Sequence, residues 1–87
     1  MKKTILLVDD DERLRELLKN FLNKKLFQVF TSQDFTEAKE MLNFFIFDLI
    51  ILDRMMPSGD GMDLIKHIKK ASKTPVIMLT AMGEDNQ

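Results

Sequence analysis

The sequence predicts an α/β fold: one parallel sheet with helices on both faces. Strand-like and helix-like periods alternate along the chain with short breaks between them. The apolar runs at residues 5–8 and 49–52 are continuous rather than alternating, as strands covered on both sides require. The resulting order, β-α-β-α-β-α-β, winds through right-handed crossovers into a single sheet.

Each element has its own signal. Residues 5–8 are the first strand. Leu14, Leu17, Leu18, Phe21 and Leu22 then repeat at helical spacing on one face, with Asp10 or Asp11 placed to cap and Glu12 suited to the positive end of the helix. Phe27, Val29 and Thr31 alternate around Gln28, a shorter strand nearer an edge, although Phe30 blurs the pattern. Phe35, Ala38, Met41, Leu42 and Phe45 form a second, weaker helical stripe. Residues 47–52 make the most apolar strand, which is expected to be central. After a turn over residues 57–61, Asp60 is placed to cap a third helix whose face is Met62, Leu64, Ile65 and Ile68. Pro75 then opens a fourth strand at residues 76–79, a position where proline is tolerated.

Eighty-seven residues suffice for one small domain, 1–87, and neither an internal repeat nor a linker divides it. At 45% hydrophobic and 31% charged, the composition is that of a globular chain. Thirteen basic against fourteen acidic residues leave a net charge of −1, which makes no electrostatic case for nucleic acid or an anionic membrane. Lys24, Lys25, Lys69 and Lys70 read as solvated helix ends. No cysteine is present, so disulfides, thiolate zinc sites and cysteine nucleophiles are excluded. A single histidine, His67, excludes a histidine metal cluster. No signal peptide is visible at the start, so a cytoplasmic location is expected.

In open parallel sheets the binding crevice lies at the carboxyl ends of the strands. Here those ends carry Asp9, Asp10, Asp53 and Thr80. Taken singly, residues 9–12 also read as a helix cap, Asp53 as a turn acid and Thr80 as a strand-end threonine; their common register favours a shared site. Converging carboxylates disfavour one another's ionisation, and a hard dication resolves the conflict. Magnesium suits oxygen ligands and phosphate chemistry. An aspartate beside the cation can serve as a nucleophile that forms an acyl phosphate, and a threonine hydroxyl can hydrogen-bond a phosphoryl oxygen.

Three stretches, ILLVDDDERLRELL, DLIILDRMMPSGDGMDLI and TPVIMLTA, resemble in order and spacing the receiver domains of two-component response regulators. The resemblance implies a flavodoxin-like three-layer fold with sheet order 2-1-3-4. It implies that Asp53 is the phosphoacceptor, that Asp9, Asp10, Asp53 and the backbone carbonyl of Met55 hold Mg2+, and that Thr80 contacts the phosphoryl group. The backbone amides of Arg54 and Ala81 would help to hold its oxygens. The implied partner is a sensor histidine kinase engaging the first helix and the active-site face, with autodephosphorylation by water. No direct contact with nucleic acid or membrane is expected.

The resemblance also implies a fourth helix, a fifth strand bearing an essential lysine, and a fifth helix, none of which follows residue 87 in this sequence. The chain therefore reads as a receiver truncated before its fourth helix, with weak phosphorylation. Self-association through the exposed edge of the fourth strand is expected, as is an uncovered apolar surface under Leu6, Val8 and Ile51. The alternative is a non-signalling remnant or interaction fragment that keeps the kinase-binding surface. An aspartate-nucleophile phosphatase ranks last, because that class expects a second acid two residues after the nucleophile and Met55 stands there.

Overall fold

In a computed structural model, residues 2–56 and 59–79 of the chain are described. Strands β1 (Thr4–Val8), β2 (Gln28–Ser32), β3 (Leu49–Asp53), β4 (Met55–Met56), β5 (Gly59–Asp60) and β6 (Val76–Leu79) are interleaved with helices α1 (Glu12–Lys24), α2 (Phe35–Phe44) and α3 (Gly61–Ala71). The four longer strands form one parallel sheet in the order β2-β1-β3-β6, which is the expected 2-1-3-4 order with β6 as the fourth strand. The β4-β5 hairpin was not anticipated. It pairs Met55 with Asp60 and Met56 with Gly59, within a stretch that reads in sequence as a plain turn.

Among the described residues, every helix start is fixed by an aspartate. Of the two candidates before α1 it is Asp11 that caps, accepting from the Arg13 and Leu14 amides. Asp34 caps α2 through the Glu37 amide, while the Glu37 carboxylate accepts from the amide of Gln33, the residue before the cap. Asp60 caps α3 through the Met62 amide, as expected.

The alternation along β1 sorts the core into two halves. Leu6 and Val8 join Ile50, Leu52, Leu64 and Ile68 under α2 and α3, whereas Ile5 and Leu7 lie with Val29 against Leu18 and Leu22 of α1. This corrects one expectation. Leu6 and Val8 are fully buried on the α2-α3 side, so the thinly covered surface is the other one, where Ile77 stands in register with Ile51 and is 50% exposed. The same thin cover leaves Leu17 and Phe21 exposed, although they belong to the apolar stripe of α1. On α3, Leu64 and Ile68 are buried and Met62 is exposed.

The third long strand starts two residues later than expected. Phe47 precedes β3, buried against the rings of Phe30 and Phe45, with centroids 5.7 and 6.2 Å away. Asp48 breaks the strand pattern because its carboxylate accepts from the Thr4 amide at 2.7 Å and from the Thr4 hydroxyl at 3.1 Å, tying the start of β1 to the entry of β3.

Candidate functional site

β1 and β3 are adjacent and parallel, so the residues that follow their last apolar positions emerge side by side. Asp9, Asp10 and Asp53 meet there, with carboxylate oxygens from the three all within 4.8 Å of one another. Their environments differ. Asp9 is 3% exposed, Asp53 half-buried and Asp10 exposed.

Asp9 is held on every side. Its amide donates to the Ser32 carbonyl at 3.1 Å, its carboxylate accepts from the Asp11 amide at 2.9 Å, and its carbonyl accepts from the Arg15 guanidinium at 2.7 Å. Burial pushes the Asp9 carboxyl above its ordinary value, outweighing the Asp11 amide; the charges of Asp10 and Asp11 add to the rise and Arg15 opposes it. The neutral form is thus easier to reach in the fold than in the unfolded chain. Its stabilising contribution is complete at low pH and is lost as pH rises through the raised value. The all-oxygen donor set fits a hard ion such as Mg2+, which if held by the three carboxylates would offset that loss at neutral pH.

Arg15 carries no signal in the motif itself. Its spacing of four from the Asp11 cap turns it back toward the strand end, and that is the feature by which it could have been found. The Arg54 amide, expected to face a phosphoryl group, instead donates to the Leu79 carbonyl at 3.0 Å and continues the β3-β6 ladder. Met55 opens β4 two residues after Asp53, on the same rim. β6 brings Leu79 into register with Asp53. Thr80 and Ala81 lie outside the described residues.

The corner after Asp53 is closed by Gly61. Its amide donates to the Arg54 carbonyl at 2.6 Å, and a Cβ there would lie 2.5 Å from the Leu52 side chain and 3.1 Å from the Arg54 Cα. Gly61→Ala is therefore expected to destabilise the chain by about 1–3 kcal/mol through overpacking. Chemical denaturation measures the loss, and amide shifts concentrated at residues 52–54 identify the corner as its source.

Fold and site together define a doubly wound α/β domain with an acidic cluster at the carboxyl edge of its sheet. The family model of the response regulator receiver domain matches residues 5–87, and the chain belongs to that family. It is 46% identical over 81 residues to the transcriptional regulatory protein CpxR of Escherichia coli K12, covering 93% of this chain and 34% of CpxR. The chain thus spans about a third of the length of the curated relatives it matches. Among solved structures, the response regulator TrrA of Thermotoga maritima in complex with Mg2+ and BeF superposes with a TM-score of 0.86 at 36% identity, covering 93% of this chain and 71% of that one. TrrA bound to the histidine kinase ThkA gives 0.85 at 35% identity, covering 98% and 74%.

Proposed function

We propose that this chain is a single phosphoacceptor receiver module of a two-component system, taking a phosphoryl group from a histidine kinase onto Asp53. The observation that carries the reading is the convergence of the Asp9, Asp10 and Asp53 carboxylates at the rim of the sheet. An Asp53 carboxylate oxygen attacks phosphorus, the phosphorus–nitrogen bond of the donor phosphohistidine breaks, and the imidazole leaves as an acyl phosphate forms. Asp9, Asp10, Asp53 and the Met55 carbonyl would hold Mg2+, which when bound neutralises charge on the phosphoryl oxygens. Thr80 and the Ala81 amide would contact the transferred group. The TrrA complexes with Mg2+ and BeF and with ThkA support the choice of ion and partner. The module acts in signalling rather than as a turnover enzyme, and in the cytoplasm; among the described residues no helix is long and apolar enough to cross a membrane.

The ion is tested separately from the phosphoryl group. At neutral pH, Mg2+ is expected to raise the thermal midpoint of the chain and to shift amide resonances around residues 9–11 and 53. Asp10→Ala should weaken both responses, because an exposed ligand is removed with little disturbance of the core. Shifts confined to other surfaces would remove Mg2+ from this site.

β6 also presents an edge. It pairs with β3 on one side, and among the described residues no strand pairs with the other. Such an edge templates pairing with another chain. Concentration-dependent association is expected in sedimentation, and a strictly monomeric profile across the accessible range would exclude it.

A further inference from the structure

We propose that the end of the molecule opposite Asp53 docks onto an anionic lipid bilayer surface, its lysines reading the headgroup charge and its exposed apolar loop tips entering the interface. All three helices run from the carboxyl edge of the sheet back to the amino edge, so the α1-β2, α2-β3 and α3-β6 loops share one end with the start of β1. Charge follows this polarity. Lys2 and Lys3 precede β1, Lys24 and Lys25 close α1, and Lys69, Lys70 and Lys73 close and follow α3, all of them exposed. Asp48 is the acid at that end among the described residues, and its carboxylate is engaged by Thr4. Asp9, Asp10, Asp11, Asp34, Asp53 and Asp60 gather at the opposite end. A net charge of −1 therefore describes a dipolar molecule, and the whole-chain sum conceals a basic face.

Helix dipoles account for part of this, since lysines favour helix C-termini. They do not account for Lys2, Lys3 or Lys73, which lie outside helices, nor for the apolar groups beside them. Phe44 is 81% exposed and Ile46 90%; the first ends and the second follows the helix whose last turn has no basic residue. Leu26 is the sharper case. It ends the α1 turn with φ at +69°, its amide bonded to the Asn23 carbonyl and the next amide to the Leu22 carbonyl, the arrangement that ordinarily uses glycine. A leucine 71% exposed in the left-handed region works against stability twice over, and observed strain of this kind points to function.

The occupant follows from the chemistry. The cations are lysines with no arginine among them, point charges suited to a diffuse field of headgroups rather than to a fixed bidentate partner. The apolar side chains stand at two connections, α1-β2 and α2-β3, both on the amino edge of the sheet. Basic charge plus inserted apolar groups is the pair of signals that reversible interfacial binding needs.

Co-sedimentation of the 87-residue chain with vesicles of phosphatidylcholine containing phosphatidylglycerol tests the proposal, with pelleting in the absence of vesicles subtracted. Binding is expected to the mixed vesicles and not to pure phosphatidylcholine, and to fall as salt rises. Lys69→Gln with Lys70→Gln should lower the partition by about tenfold or more, each lysine near an anionic surface contributing about fivefold. Leu26→Gly should lower it several-fold while raising the thermal midpoint, a combination that a merely structural role cannot produce. Phe44→Ser with Ile46→Ser should act in the same direction. Absence of binding to the mixed vesicles, equal binding to neutral ones, or indifference to the apolar substitutions would overturn the proposal. Tighter retention on duplex DNA or polyglutamate, unaffected by Leu26→Gly, would assign the face to nucleic acid or an acidic protein instead.

Discussion

Phosphorylation of the chain by a small phosphodonor is expected to fall to background in Asp53→Asn. The substitution is nearly isosteric, so the end of β3 keeps its shape, but an amide has no anionic oxygen to attack phosphorus. Two controls make the result specific. The unfolding curve should stay close to that of the parent chain, which separates lost chemistry from lost structure. In the parent chain, the phosphate should be labile to acid and base and should map to the peptide containing Asp53. Mapping to Asp9, Asp10 or His67 would reject the assignment. Asp9 makes a poor acceptor because its carboxylate is buried and already accepts from the Asp11 amide.

Leu64→Ala should cost about 2–5 kcal/mol, against a net stability of about 5–15 kcal/mol for an ordinary domain. Leu64 is 1% exposed and belongs to the cluster that joins β1, β3, α2 and α3. Truncating a side chain buried this fully leaves a cavity, and a cavity term adds to the lost transfer energy. The contrasting substitution is Leu17→Ala on α1. That side chain is 66% exposed, and its removal should change stability by less than about 0.5 kcal/mol. Urea denaturation of both variants checks the pair, and equal losses would mean that the two helices share the load evenly.

Those two leucines also mark where the sequence is legible and where it stops. Periodicity places both on apolar helical faces, because i, i+3, i+4 spacing records only which side of a helix is greasy. It does not record how wide a surface lies opposite. The stripe of α1 is wider than its contact with the sheet, so Leu18 and Leu22 pack while Leu17 and Phe21 remain in water. The site is read more completely than the packing. Asp9, Asp10 and Asp53 each follow an apolar strand, and adjacency of β1 and β3 is enough to bring them together. The Arg54 amide escapes sequence reasoning because its partner, the Leu79 carbonyl, is fixed by the register between β3 and β6. The β4-β5 hairpin escapes it for a similar reason. Two-residue strands have no period.

The bond between Asp48 and Thr4 has a kinetic consequence. The two residues are 44 apart in the chain, and their contact seats β3 beside β1. Closing a loop of that length costs about 3 kcal/mol beyond a constant term before any strand pairing rewards it. β1 can gather β2 early, but as a pair it has one open flank until the α2-β3 loop delivers its aspartate. During synthesis, therefore, the acidic cluster cannot exist until β3 has left the ribosome. Refolding in free solution should be paced by this one long-range closure rather than by helix formation, which is faster by orders of magnitude.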